Sequence, residues 1–232
     1  MNLLSGNNLR RCLFCIAAML ILTSSFAFSQ SFPKKIYLGL TLPYNTVGGD
    51  FDGSLSLYNS GLQEGFYIPD ADGAIGFGAV AGYEKYFNGK LGFGAELAFE
   101  RTSHDVTQST WTSTATLIIF SGNLKAFYDA SPVEPYLLFG ISVPRFTAKN
   151  GSVSGTYQSV FEDARFTGVG INLGAGINLY VMPKLNLNAG ITYRYINYSR
   201  ARGIGDWAEI PNGLKGSGIN ITGGLIYSIP LD

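Results

Sequence analysis

The chain holds a single histidine, and it stands between a hydroxyl and an acid in Ser103-His104-Asp105. Histidine with a serine or aspartate is the material of hydrolytic catalysis, because imidazole takes up and returns a proton near neutral pH. Neighbours on an extended chain point apart, so a partner for His104 has to come from another segment, such as Asp206. The plainer reading is a solvated histidine in a surface loop, and no catalytic residue is expected. A second set, Glu96, Glu100, Lys125 and Arg194, carries both signs of charge. Two carboxylates at this spacing suit acid–base hydrolysis. With two cations among them, the four suit mutual pairing better, as a structural polar network. Arg194 is the expected hub, because its guanidinium fork can serve two carboxylates.

Three further patterns invite chemistry and are better read as structure. The Gly-x-Gly pairs Gly76/Gly78, Gly92/Gly94 and Gly168/Gly170 open no helix, so they are not dinucleotide loops. They are expected to clear space for bulky neighbours such as Tyr136, Tyr180 or Arg194. Asp50-Phe51-Asp52-Gly53 and Asp70-Ala71-Asp72-Gly73 lack the spacing of a calcium loop and read as turns. No metal site and no cofactor are expected. Acidic and basic residues balance at 16 each, so no basic surplus points to nucleic acid.

The elements that must position these groups are strands. In the segment 168–179 every second residue is apolar, from Val169 through Leu179, and only Gly and Asn stand between them. A period of two puts alternate side chains on opposite faces of an extended strand. A soluble barrel turns the apolar face inward, whereas a membrane barrel turns it outward. Eight such segments follow one another, near 36–42, 74–85, 91–101, 114–128, 135–145, 168–181, 185–198 and 218–229. In each, one row is apolar and free of charge, and the other mixes glycine, amide, hydroxyl and a few ions. Glu96, Glu100, Lys125 and Arg194 all fall on the polar row. Short turns at 87–90, 129–132 and 182–184 alternate with long polar connections after the first, third, fifth and seventh segments. Outer-membrane barrels have that plan, with their short turns in the periplasm. Tyr83, Tyr128 and Tyr227 lie near one end of the apolar rows, and Phe99, Tyr193 and Tyr195 near the other, as two aromatic girdles would.

The front of the chain reads as an export leader over 1–29. Arg10 and Arg11 precede an apolar run at 12–22, and Ala27 and Ser29 suit cleavage before Gln30. Both cysteines, Cys12 and Cys15, fall in it, so the region 30–232 is expected to form one barrel domain without disulfides. Charged residues make up only 14% of the chain, low for a soluble domain. The fold expected is all-β: a closed, antiparallel, up-and-down transmembrane barrel of eight strands. Ten strands result if Ser54-Leu55-Ser56-Leu57-Tyr58 and Phe66-Tyr67-Ile68 also span. Otherwise they form a hairpin above the membrane, whose apolar residues offer a site for a partner.

Glu134-Pro135-Tyr136-Leu137-Leu138-Phe139-Gly140, and Gly174-Ala175-Gly176-Ile177 leading through a Met-Pro-Lys turn into Leu185-Asn186-Leu187-Asn188-Ala189-Gly190-Ile191-Thr192-Tyr193-Arg194-Tyr195, carry a family likeness. The chain resembles the eight-stranded outer-membrane β-barrel group of Gram-negative bacteria, which includes OmpA-like, OmpX-like and OmpW-like proteins. The resemblance implies the outer membrane, its lipids and the barrel-insertion machinery as partners. The last strand departs from the family pattern, since Tyr227, Ile229 and Leu231 alternate and Asp232 replaces the usual terminal aromatic. The function expected is non-enzymatic: surface loops that bind an extracellular ligand, mediate adhesion or support the envelope. The alternatives are a narrow channel for small hydrophobic molecules and a lipid-modifying enzyme of the outer membrane.

Overall fold

The computed structural model describes residues 33–51, 56–59, 64–87, 89–107, 114–154, 160–203 and 206–231. The expected leader at 1–29 lies outside the described residues. Among the described residues there are twelve strands, the long ones built on alternating apolar and polar positions: β1 Lys34–Asn45, β2 Gly48–Gly49, β3 Ser56–Asn59, β4 Glu64–Tyr67, β5 Asp70–Ala71, β6 Ala74–Tyr86, β7 Leu91–Thr107, β8 Thr114–Tyr128, β9 Val133–Ser154, β10 Val160–Met182, β11 Leu185–Arg202 and β12 Ala208–Pro230. Eight of them form a ring. β1 pairs β6, each strand from β6 to β12 pairs the next, and β12 pairs β1 through Lys35↔Pro230 to Asn45↔Asn220, all antiparallel. Closure leaves the ring no free edge, a requirement where no water is present to bond one.

The apolar rows face out. Leu173 is 63% exposed and Ile191 52%, whereas Asn172 and Arg194 beside them are buried. A soluble barrel demands the reverse, so that alternative is overturned. On β6, β7, β11 and β12 the outward apolar rows run over 75–83, 91–99, 185–195 and 219–229. That is the about 9–11 residues a tilted strand needs to cross the hydrocarbon layer.

The strands also continue past that band. Stretches read from the sequence as long polar connections, at 146–167 and 199–217, are mostly strand, and β9, β10 and β12 reach 22 or 23 residues. In these extensions the pattern inverts. On β8 the inward row is Lys125, Asn123 and Ser121 at membrane level, then Ile119, Leu117 and Ala115 above it. The outward row changes oppositely, from Leu124 and Phe120 to Thr116 and Thr114. The upper half is therefore built like a water-soluble barrel standing on a membrane barrel.

The long first connection closes its mouth. β3 and β4 make a hairpin that pairs β9 at Ser152–Ser154, above the end of β8, and neither strand enters the ring. The ten-strand alternative is thereby corrected to eight. Phe51, Phe66, Ile68 and Ala71 from this connection join Leu117, Phe146, Phe166, Ile196, Tyr198 and Leu214 in one buried cluster. Phe66 and Ile68 are thus not an exposed apolar patch for a partner: they fill the barrel.

Candidate functional site in the barrel lumen

Parity alone puts one side chain in two from each ring strand into the lumen, and three layers result. The lowest layer lies near the short turns. Lys35 Nζ stands 2.8 Å from Glu84 Oε2 and 3.2 Å from Glu134 Oε2. Glu134 accepts further bonds from Tyr180 Oη at 2.7 Å, from Asn178 Nδ2 at 2.8 Å and from the Tyr86 hydroxyl. The Lys35 ammonium also lies 5.1 Å from the Tyr180 ring centroid, a cation–π distance. Tyr86, Phe127, Tyr136 and Leu138 pack as an apolar floor on this layer.

The middle layer joins β1, β7 and β8. Lys125 Nζ is 2.5 Å from Glu96 Oε2, and Tyr37 Oη donates to the same oxygen at 2.9 Å. Asn123 Nδ2 donates to Glu96 Oε1 at 3.1 Å. The ammonium lies 4.6 Å from the Tyr136 ring centroid. One position needs glycine for close approach: a Cβ at Gly82 would meet the Tyr37 ring at 2.4 Å.

The upper layer is Glu100 with Arg194. The guanidinium donates to Glu100 Oε1 at 2.6 Å and to Asn45 Oδ1 at 2.8 Å, while Asn220 Nδ2 donates to Glu100 Oε2 at 2.6 Å. Between the middle and upper layers lies a chamber of about 50 Å³, lined by Glu96, Glu100, Asn123, Lys125, Asn172 and Arg194 among others. It is polar and large enough for a few water molecules.

The structure brings all four sequence-predicted ionic residues into the lumen, as two separate pairs. Glu96 and Glu100 each have their own cation, so neither carboxylate is placed to share a proton with the other. Arg194 serves one carboxylate and one amide, which corrects the expectation of two carboxylates. The cation that serves two is Lys35. Sequence reasoning missed Lys35 and Glu134 as charged lumen residues. Carrying the two-residue period one step beyond the apolar rows, from Tyr37 to Lys35 and from Tyr136 to Glu134, reaches both. The Gly-x-Gly pairs clear different neighbours from those expected: Gly78 faces Thr41, Gly92 faces Phe127 and Gly94 faces Glu84. Tyr136 is accommodated by Gly176 and Gly190. Tyr83, Tyr128, Tyr193, Tyr195 and Tyr227 lie exposed on the outer face, and Phe99 lies there half-buried against Phe77 and Phe120.

His104 is not a solvated loop residue. β7 runs to Thr107, and His104 points into the upper barrel with no exposed surface. Its Nδ1–H donates to the Asp72 carbonyl at 2.7 Å, and Nε2 accepts from the Thr102 hydroxyl at 2.8 Å. Burial lowers its pKa below the usual 6.5, opposed by the Asp72 bond. The ring ties the first connection to β7. Asp50 ties the first connection to β12, since its Oδ2 accepts from the Lys215 amide at 2.7 Å, and Asp52 and Gly53 of the expected turn lie outside the described residues. Among the described residues no group of three or more His, Cys, Asp or Glu could hold a metal ion.

Residues 14–226 match the sequence profile of the family described as outer membrane protein beta-barrel domain. No curated protein matches the chain in sequence. Among solved structures the chain is similar to the Neisserial surface protein A, with 19% identity, 84% of this chain and 97% of that one covered, and a TM-score of 0.49. It is also similar to Ail, the attachment invasion locus protein of Yersinia pestis, at 15% identity, 86% and 100% coverage and a TM-score of 0.45. OprG from Pseudomonas aeruginosa is similar at 12% identity, 88% and 99% coverage and a TM-score of 0.45.

Proposed function

Because the chain belongs to the outer membrane protein β-barrel domain family, we propose that it acts as a closed, non-enzymatic barrel whose working surface is the half that stands outside the membrane. On this reading it binds a ligand, adheres or supports the envelope there, and an export leader cleaved before Gln30 delivers it. The observation that carries the proposal is the filled lumen: an ion and tyrosine layer below, paired charges in the middle, and an apolar cluster around Phe51 above. An eight-stranded ring is just wide enough for its own side chains. The chamber of about 50 Å³ has room for water but not for a solute of metabolic size. His104 supports the non-enzymatic reading too, since both ring nitrogens are engaged and no surface of it is open to a substrate.

Planar-bilayer recording on the refolded chain tests the proposal. The expected record shows no stepwise conductance. Regular steps at moderate voltage would overturn it in favour of a narrow channel, the runner-up, which needs a continuous path past Phe51, Arg194 and Lys35.

A further inference from the structure

The outer wall carries an arginine cluster at the upper edge of its apolar band. Arg101 on β7 pairs Ile118 on β8, which pairs Arg145 on β9. Arg101 and Arg145 therefore stand on one row, two strand spacings or about 10 Å apart, on either side of Ile118. Arg165 on β10 joins them from the next row up, opposite Thr147. Directly below are Phe99, Phe120 and Val143, which pair with one another across the same strands. Phe77, Phe99 and Phe120 make a continuous ring wall, with centroids 6.2 and 5.1 Å apart. Arg101 and Arg145 are exposed, and Arg165 is half-exposed. None of the three enters the four ion pairs among the described residues. The acids nearest Arg165, Glu162 and Asp163, lie above it on β10, where Asp163 Oδ1 accepts from the Asn150 amide at 3.2 Å, and Asp105 lies two rows above Arg101.

We propose that Arg101, Arg145 and Arg165 form a binding site for the phosphorylated headgroup of a lipid in the leaflet that surrounds them. The charge is of the right sign, and its height is right. Long arginine side chains at the rim of an apolar band keep their charge at headgroup level while their stems lie on the wall. Guanidinium forks match phosphate oxygens in pairs. The ring wall beneath takes the acyl chains of the same molecule, so one ligand satisfies both surfaces. Cations at such a surface each strengthen the attraction to anionic lipid by about fivefold. The site does not depend on whether the lumen conducts.

The test uses the refolded full chain in neutral detergent, titrated with a bis-phosphorylated, multiply acylated glucosamine disaccharide and with the same lipid stripped of phosphate. The wild-type protein binds the phosphorylated form more tightly, and that preference shrinks as salt rises. The Arg101→Ala/Arg145→Ala variant binds the phosphorylated form about thirtyfold more weakly. Its folding is checked by heat-modifiable gel mobility. Inorganic phosphate at millimolar concentration does not compete. The proposal is overturned if the folded variant binds as the wild type does, or if inorganic phosphate displaces the lipid, which makes the cluster a free-anion site. Should the variant fail to fold, the wild-type measurement still decides: equal affinity for the two lipids, with no salt dependence, overturns the proposal.

Discussion

Phe51→Ala tests whether the first connection is a packed plug. Phe51 is 1% exposed, and its ring centroid lies 5.0 Å from that of Phe146, 5.8 Å from Phe166 and 4.9 Å from Tyr198. Burying a phenylalanine side chain contributes about 1.5–3 kcal/mol by transfer, and each ring pair adds about 0.5–1.5 kcal/mol. Truncating a buried phenylalanine to alanine costs about 3–5 kcal/mol overall, cavity included, and that is the loss expected here. Most of that loss is local, because the ring side chains below are tied by the β-ladder and not by Phe51. The reporter is the Asp50 amide, which donates to the Lys215 carbonyl at 2.7 Å next to the lost ring. Its hydrogen exchange is expected to speed up by about two to three and a half orders of magnitude. The amides of residues 36–42 are expected to keep their protection. Unchanged exchange at Asp50 in a folded Phe51→Ala barrel would show that the ring contributes nothing to closing the mouth.

Two other perturbations follow from the same geometry. Glu100→Ala leaves the Arg194 guanidinium buried with only Asn45 as a partner, at a cost of about 3–5 kcal/mol. Replacing both, as Glu100→Leu with Arg194→Met, is expected to cost much less, and urea midpoints in lipid vesicles measure both. A double variant as unstable as the single would show that the cost lies elsewhere. At His104 burial holds the folded-state pKa below 6.5, so an opened state takes the proton first as pH falls. The contribution of His104 to holding Asp72 is fully present above about pH 6.5 and declines below it. Protection of the Asp72 amide, which donates to the Asp105 carbonyl, is expected to fall over that window and to become flat in His104→Gln.

The membrane half of the fold was legible because lipid imposes a strict rule on a strand. Any charge or amide on the outward row at bilayer depth is costly, so the asparagines in 168–179 and Arg194 in 185–195 permit only one register. The polar row could be read for Glu96 and Arg194 on that ground. Their partners could not be assigned, because pairing depends on which strands meet across the ring. Lys35 and Glu134 are 99 residues apart and meet only when the barrel closes. The upper half was misread for a physical reason too. Outside the bilayer the rows exchange character, so Phe146, Phe166 and Tyr198 stand on the row that is polar below. A search for one polarity per row ends the strand there and leaves a loop, and it made His104 a loop residue. Phe51 and Ile68 lack any period, since a plug is held by shape and not by a ladder.

The exchange of polarity between rows also sets the vertical position of the molecule. Sinking by one rung would draw Arg101 and Arg145 among acyl chains, and rising by one would lift Phe99, Phe120 and Val143 out of them. The barrel floats at one draught, like a hull with a painted waterline. Whatever the rim above presents is held at a constant height over the lipid surface.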